Sequence, residues 1–176
     1  MTALIMERAR QELANEDTTI AILLSAMAVE GEMAYLFFKW KEIDSGRLPF
    51  GRTQDEEDEW ERAWADKRSV GKRLDELCRF LTSADFDKFA LQNKELLSSA
   101  LGRFDPADSL KKFFQEQLFE KRNQIVHYSR IDFEKARGER CVSLASALIR
   151  LPDAMNRDRV KRMDDAHEKA NEAIRE

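Results

Sequence analysis

Apolar positions recur at helical spacing along almost the whole chain. Residues 2–14 form a short amphipathic pattern, after which Asn15, Glu16, Asp17 and Thr18 supply a break and a new N-cap. Ile20 to Phe38 is nearly unbroken in its apolar character, and the spacing predicts a helix to about Lys41, buried on most of its circumference at the centre of a bundle. Ile43 to Arg52, punctuated by Gly46, Pro49 and Gly51, reads as the longest loop. Thr53 and Glu56 fit a capping box that opens a helix carrying Trp60, Trp64, Leu74, Leu77 and Leu81 on one face. Ser83 or Asp85 starts the next helix, which ends at Gly102, and Asp105-Pro106 is a further start signal. From there Leu110, Phe113, Phe114, Leu118 and Ile125 keep helical spacing up to a break at Ser129–Asp132. A helix carrying Cys141, Leu144, Ala145 and Leu148 runs to Leu151-Pro152. A last one, from Asp153, has a thin stripe of Val160, Met163, Ala170 and Ile174. The pattern predicts one domain, an all-α bundle of five to seven helices.

Composition narrows this further. With 176 residues but only six Gly and three Pro, the chain lacks the turn chemistry of a β sandwich or barrel. Eleven Phe and three Trp are more large apolar groups than a disordered chain carries. Cys78 and Cys141 show no Cys-x-x-Cys spacing and read as buried thiols in a reducing cytoplasm. No leader-like pattern opens the sequence. Ile20–Phe38 has the length of a membrane span, but Glu30 and Glu32 lie inside it, and a carboxylate at the bilayer centre costs roughly 2.5–3.5 kcal/mol. A core helix with no membrane partner is therefore expected. The net charge of −4 excludes a generally basic nucleic-acid coat protein but leaves room for a local basic site. Bases outnumber acids eight to five in Lys111–Arg140, which points to that stretch as the place to look.

His127 and His167 are the only histidines, and neither follows a Glu by three residues as a di-iron bundle requires, so no metal or cofactor is expected. No Gly-rich phosphate loop and no Gly-x-Ser-x-Gly elbow occur. What remains is Glu120-Lys121-Arg122-Asn123-Gln124-Ile125-Val126-His127-Tyr128, at the end of an amphipathic helix. This run resembles the signature of the HEPN domains, helical bundles of toxins, defence systems and RNA-processing enzymes. Their catalytic motif is Arg, four to six residues, then His, commonly with a polar residue after the Arg. Arg122-Asn123 followed by His127 matches the four-residue form. A long apolar helix bearing an embedded Glu, here Glu30, matches the family layout.

The resemblance implies an up-and-down core over about residues 17–150, with the helices at 2–14 and 153–175 as additions. It implies a homodimer that cleaves RNA without a metal, as a toxin or defence effector in the cytoplasm with a possible antitoxin or defence-system partner. It makes Arg122, His127 and Asn123 catalytic, Glu30 and Tyr128 supporting, and Lys121 and Arg130 contacts to RNA. Some toxin branches place a Tyr two residues after the His; that position here is Ser129.

The residues can also be read without the family. On an unbroken helix, five residues leave Arg122 and His127 about 140° apart. Their convergence on one phosphate requires either that the helix end between them or that a second subunit complete the site. Histidine, whose ordinary pKa lies near neutrality, suits proton transfer to and from ribose oxygens, and Arg forks donors onto phosphate. Glu30, if buried, needs a donor: Arg122 is the candidate, a backbone cap or plain exposure the alternatives. Arg162 and His167 repeat the spacing, but Asp164 and Asp165 lie between them and oppose a phosphate, so that pair is expected to be inert. Trp60 and Trp64 are expected in the core rather than as platforms for bases.

Overall fold

The computed structural model describes residues 1–46, 53–66, 69–101 and 109–175, and every regular element among them is helical. The all-α expectation holds. Helices α1 (Thr2–Ala14) and α2 (Thr18–Asp44) are joined by a tight turn in which the Asp17 carboxylate accepts the Ile20 N–H at 3.0 Å. α1 lies along α2, and α9 (Lys135–Leu148) packs on both. Gly138 makes that crossing possible, because a Cβ there would lie 2.8 Å from both Leu13 Cδ1 and Thr18 Cγ2.

α2 is the central element, touching α1, α3, α4, α8, α9 and α10. It is long and apolar enough to cross a membrane by length and composition, and half of that window is buried against the other helices. Its burial is less complete than its sequence suggests. Ile20, Met27, Gly31 and Tyr35 share one face of the helix and are all exposed.

Two of the predicted helices are divided. The Trp60–Leu81 pattern is split into α3 (Gln54–Ala65) and α4 (Val70–Thr82), because the Ser69 hydroxyl accepts the Lys72 N–H and starts a new helix there. The capping box of Thr53 and Glu56 is formed. Trp64 packs on Phe37 of α2 at 4.8 Å between centroids, and both Trp60 and Trp64 are buried, as core residues should be. The next predicted helix becomes α5 (Phe86–Gln92) and α6 (Lys94–Leu101), interrupted where the Asn93 side chain donates to the Phe89 carbonyl. Asp85 caps α5, whereas Ser83 ends α4 in the left-handed region. The expected stop at Gly102, the start at Asp105-Pro106 and the punctuation at Pro49 and Gly51 lie outside the described residues.

α7 (Leu110–Phe114) is capped by Ser109 and continues through a π turn (Gln115–Phe119) into α8 (Glu120–Tyr128), which Ser129 terminates with φ 52°. α10 (Arg150–Arg175) begins before the expected Asp153, with Pro152 in its first turn, where a missing N–H does no harm. Its residues from Met163 to Glu172 are all exposed, and the Ile174 side chain lies outside the described part. Cys78 and Cys141 are free and buried, and burial pushes both thiols up to about 11, so they stay protonated at neutral pH.

The α9 crossing yields a direct test. Gly138→Val should destabilise the fold by about 2 kcal/mol through overpacking, despite the helix propensity it gains. A thermal melt should show the Tm fall by about 4–8 °C.

Candidate functional site

The position of Arg122 follows from the π turn. One extra residue in a helix of 3.6 residues per turn rotates everything after it back by about 100°. Arg122 then lies about 20° from Leu110 around the axis, instead of about 120°. It therefore shares the inward face of Leu110, Phe114 and Leu118, all of them buried. The carbonyl of Gln117, within the turn, accepts the Cys141 thiol at 3.4 Å, and the Gln117 side-chain oxygen faces the Arg137 guanidinium at 3.5 Å. α9 thus satisfies polar groups inside the irregular turn.

Pointed inward, Arg122 meets α2. Its guanidinium lies 3.6 Å from the Glu30 carboxylate and donates to the Asn123 side-chain oxygen at 2.9 Å. Arg122 is the partner expected for Glu30, held as an ion pair too long for a hydrogen bond. Their side chains keep 31% and 21% of their exposure, so solvent still screens the pair, and its contribution is limited to about 1 kcal/mol.

His127 lies on the opposite side. It is exposed and makes no hydrogen bond or ion pair to any described residue. α8 runs unbroken through Tyr128, so the helix does not end between Arg122 and His127, and that route to convergence is closed. Near His127 in the chain, Val126, Tyr128 and Ile131 are exposed, Tyr128 at 79%, together with the polar Ser129, Arg130 and Asp132. α8 packs on α2, whose own open stripe carries Ile20, Met27 and Tyr35. Exposed apolar groups on both helices flank the Glu30–Arg122 pair.

The two bases expected to touch RNA are placed differently. Lys121 is half-buried, near enough to Cys141 for its charge to favour the thiolate. Arg130 pairs with Asp132 at 2.8 Å, lowering that carboxyl below its usual range, and stacks over the Phe133 ring at 5.1 Å. Among the described residues, no cluster of three or more metal-ligating side chains occurs.

The second Arg–His pair has other duties. Arg162 donates to the Leu81 carbonyl, to Ser83 Oγ at 3.3 Å and to Asp158 at 2.9 Å, closing the C-terminal end of α4. Arg159 does the same for the Phe80 carbonyl at 3.0 Å while pairing with Asp44 and stacking on Trp40. The basic run of α10 is in this part a structural clamp. Its preceding Asn156 also accepts the Trp40 indole N–H at 2.8 Å. Sequence periodicity carried no sign of the π turn, the Cys141 contact or these clamps. The open stripe on α2 was legible in principle, since Gly31 and Tyr35 interrupt the run of aliphatic residues.

Comparison with protein-family models, with curated proteins and with solved structures returns no match.

Two substitutions separate these roles. Arg122→Ala should remain folded and lose about 1 kcal/mol, because the pair it breaks is half-solvated. Arg162→Ala should cost about 1–2 kcal/mol, because it leaves carbonyls at the end of α4 without their donor. Thermal melts followed by circular dichroism check both values.

Proposed function

We propose that this chain is a HEPN-like endoribonuclease that works without a metal, as a homodimer, in the manner of a cytoplasmic toxin or defence effector with an antitoxin or sensor partner. The observation that carries the reading is the split of the motif. Arg122 is turned inward and held by Glu30 and Asn123, whereas His127 stands free on the outer side of the same unbroken helix. A second copy seated on the uncovered apolar groups of α2 and α8 would bring the partner's motif alongside. It would also remove Tyr35, Met27, Val126 and Tyr128 from water.

The chemistry follows from the residue types. His127 takes the proton of a ribose 2'-hydroxyl as its oxygen attacks the adjacent phosphorus, the bond from phosphorus to the 5'-oxygen breaks, and a second histidine protonates the leaving oxygen. The products are a 2',3'-cyclic phosphate and a 5'-hydroxyl. Arg122 offers forked donors to the phosphoryl oxygens as charge grows on them, Asn123 and Glu30 orient it, and Lys121 and Arg130 attract the flanking backbone. Tyr128, beside His127, supports that histidine from the seam between the two copies.

One observation favours a second reading. Arg122 is already engaged by Glu30 and Asn123, which also suits a dimer that binds RNA or protein without cutting it.

The two readings part in one assay. Purified protein with EDTA present should cleave RNA, and His127→Ala should reduce the rate by at least about 100-fold, the usual contribution of a general acid or base. Arg162→Ala combined with His167→Ala should keep near-native activity, and the reverse pattern would move the centre to α10. RNA bound but not cleaved would select the binding module. Light scattering at micromolar concentration should report twice the 20.5 kDa of one chain. A strictly monomeric protein would leave the site without its second half.

A further inference from the structure

A cavity of about 540 Å3 lies between the α1–α2 turn and the linker that follows α8, with Asn15, Glu16, Thr19, Ile20, Ile131 and Phe133 among the residues lining it. The Thr19 hydroxyl donates to the Ile131 carbonyl at 3.1 Å, which ties the linker to the start of α2. Ile131 is four residues from His127, so the cavity wall is within about 14 Å of chain from that side chain.

We propose that this cavity holds an unstacked guanine base of single-stranded RNA, next to the bond that is cut. The choice of RNA as the source of the base rests on the ribonuclease reading; the chemistry of the cavity does not.

Glu16 is the centre of the proposal. Its φ is 67°, a region that residues other than glycine rarely occupy. The turn is fixed on both sides, by the Glu16 N–H on the Leu13 carbonyl, the Asp17 N–H on the Glu12 carbonyl and the Thr18 N–H on the Glu16 carbonyl. Glycine would suit this backbone at no steric cost, yet the position carries an exposed glutamate among the residues that line the cavity. That carboxylate makes no hydrogen bond or ion pair to any described residue, whereas its neighbour Asp17 is occupied in capping α2.

Base chemistry selects guanine. Its Watson–Crick edge sets two N–H donors side by side, at N1 and N2, which the two oxygens of one carboxylate can accept together. The adjoining O6 accepts, and Asn15, which lines the same cavity, has an amide that can donate. Adenine and cytosine would each turn a ring-nitrogen lone pair toward the carboxylate, and uracil would present carbonyls on both sides of its one N–H. The ring faces would be met by Ile20 and Ile131, apolar yet exposed, and by the Phe133–Arg130 stack.

The test measures binding and cutting separately on the full chain. Guanosine 5'-monophosphate, titrated against the wild type and followed by NMR, should bind at least about tenfold more tightly than the adenosine, cytidine and uridine monophosphates, a gap of about 1.4 kcal/mol. Glu16→Gly should abolish that preference without lowering the Tm, since glycine fits the turn, and Glu16→Gln should weaken it. Cleavage sites mapped on a random single-stranded RNA pool should be enriched in guanine beside the cut for the wild type and not for Glu16→Gly. Cleavage with no guanine bias and no nucleotide preference overturns the cavity's role and leaves the nuclease reading standing. Guanosine monophosphate binding that depends on Glu16, in a protein that cuts no RNA, supports the base site and defeats the nuclease reading. The same binding beside an unbiased cleavage map assigns the cavity to a free nucleotide and overturns its role toward RNA.

Discussion

The π turn at Gln115–Phe119 is the constraint on which the arrangement of the motif depends. Without it, the residues of α8 would lie about 100° further round their axis, and Arg122 would leave the face of Leu110, Phe114 and Leu118. With it, Arg122 meets Glu30 and His127 is driven to the outside. An irregular turn of this kind weakens the backbone ladder, so something else has to meet its polar groups. α9 does so through the Cys141 thiol, which donates to the Gln117 carbonyl at 3.4 Å and which burial keeps protonated well above neutral pH. A cysteine that reads from sequence as an inert core residue therefore helps to set the direction of an arginine on another helix.

α2 answers to two environments. Its inner face carries Ala21, Ile22, Ala26, Val29, Met33 and Phe37 into the core, and small residues such as Ala21, Ser25 and Ala28 let neighbouring helices approach. Its outer face is just as apolar in composition but is left uncovered at Ile20, Met27 and Tyr35. That is why hydropathy alone predicts a helix buried on most of its circumference. Periodicity reports how apolar a face is, and it cannot report whether the same chain supplies the cover.

The parts legible in the sequence share one property: they are local. The caps at Asp17 and Thr53, the break at Ser129 and the helical spacing of Leu110 to Leu118 are fixed by residues within one or two turns, and they stand where expected. Ser69 and Asn93 were missed because a single polar side chain there redirects the backbone inside an otherwise continuous apolar stripe. The pairing of Glu30 with Arg122 was legible for a different reason, since a carboxylate inside an apolar run demands a donor and the motif offers one. The duties of Arg159 and Arg162 were not, because a helix end 79 or 81 residues away in sequence leaves no local trace.

Structural and chemical roles for Arg122 need not compete. A guanidinium carries five N–H donors, and Glu30 and Asn123 engage one nitrogen each, Nη2 and Nη1. The ion pair is long at 3.6 Å and partly solvated, so it orients the group without consuming its charge. Donors remain to fork onto a phosphate arriving from the open side. A tighter, fully buried pair would have fixed the same orientation but left Arg122 neutralised and inaccessible. For the proposed role, the loose pair at the edge of the bundle would aim Arg122 before a polyanion arrives and still leave its donors able to bind one.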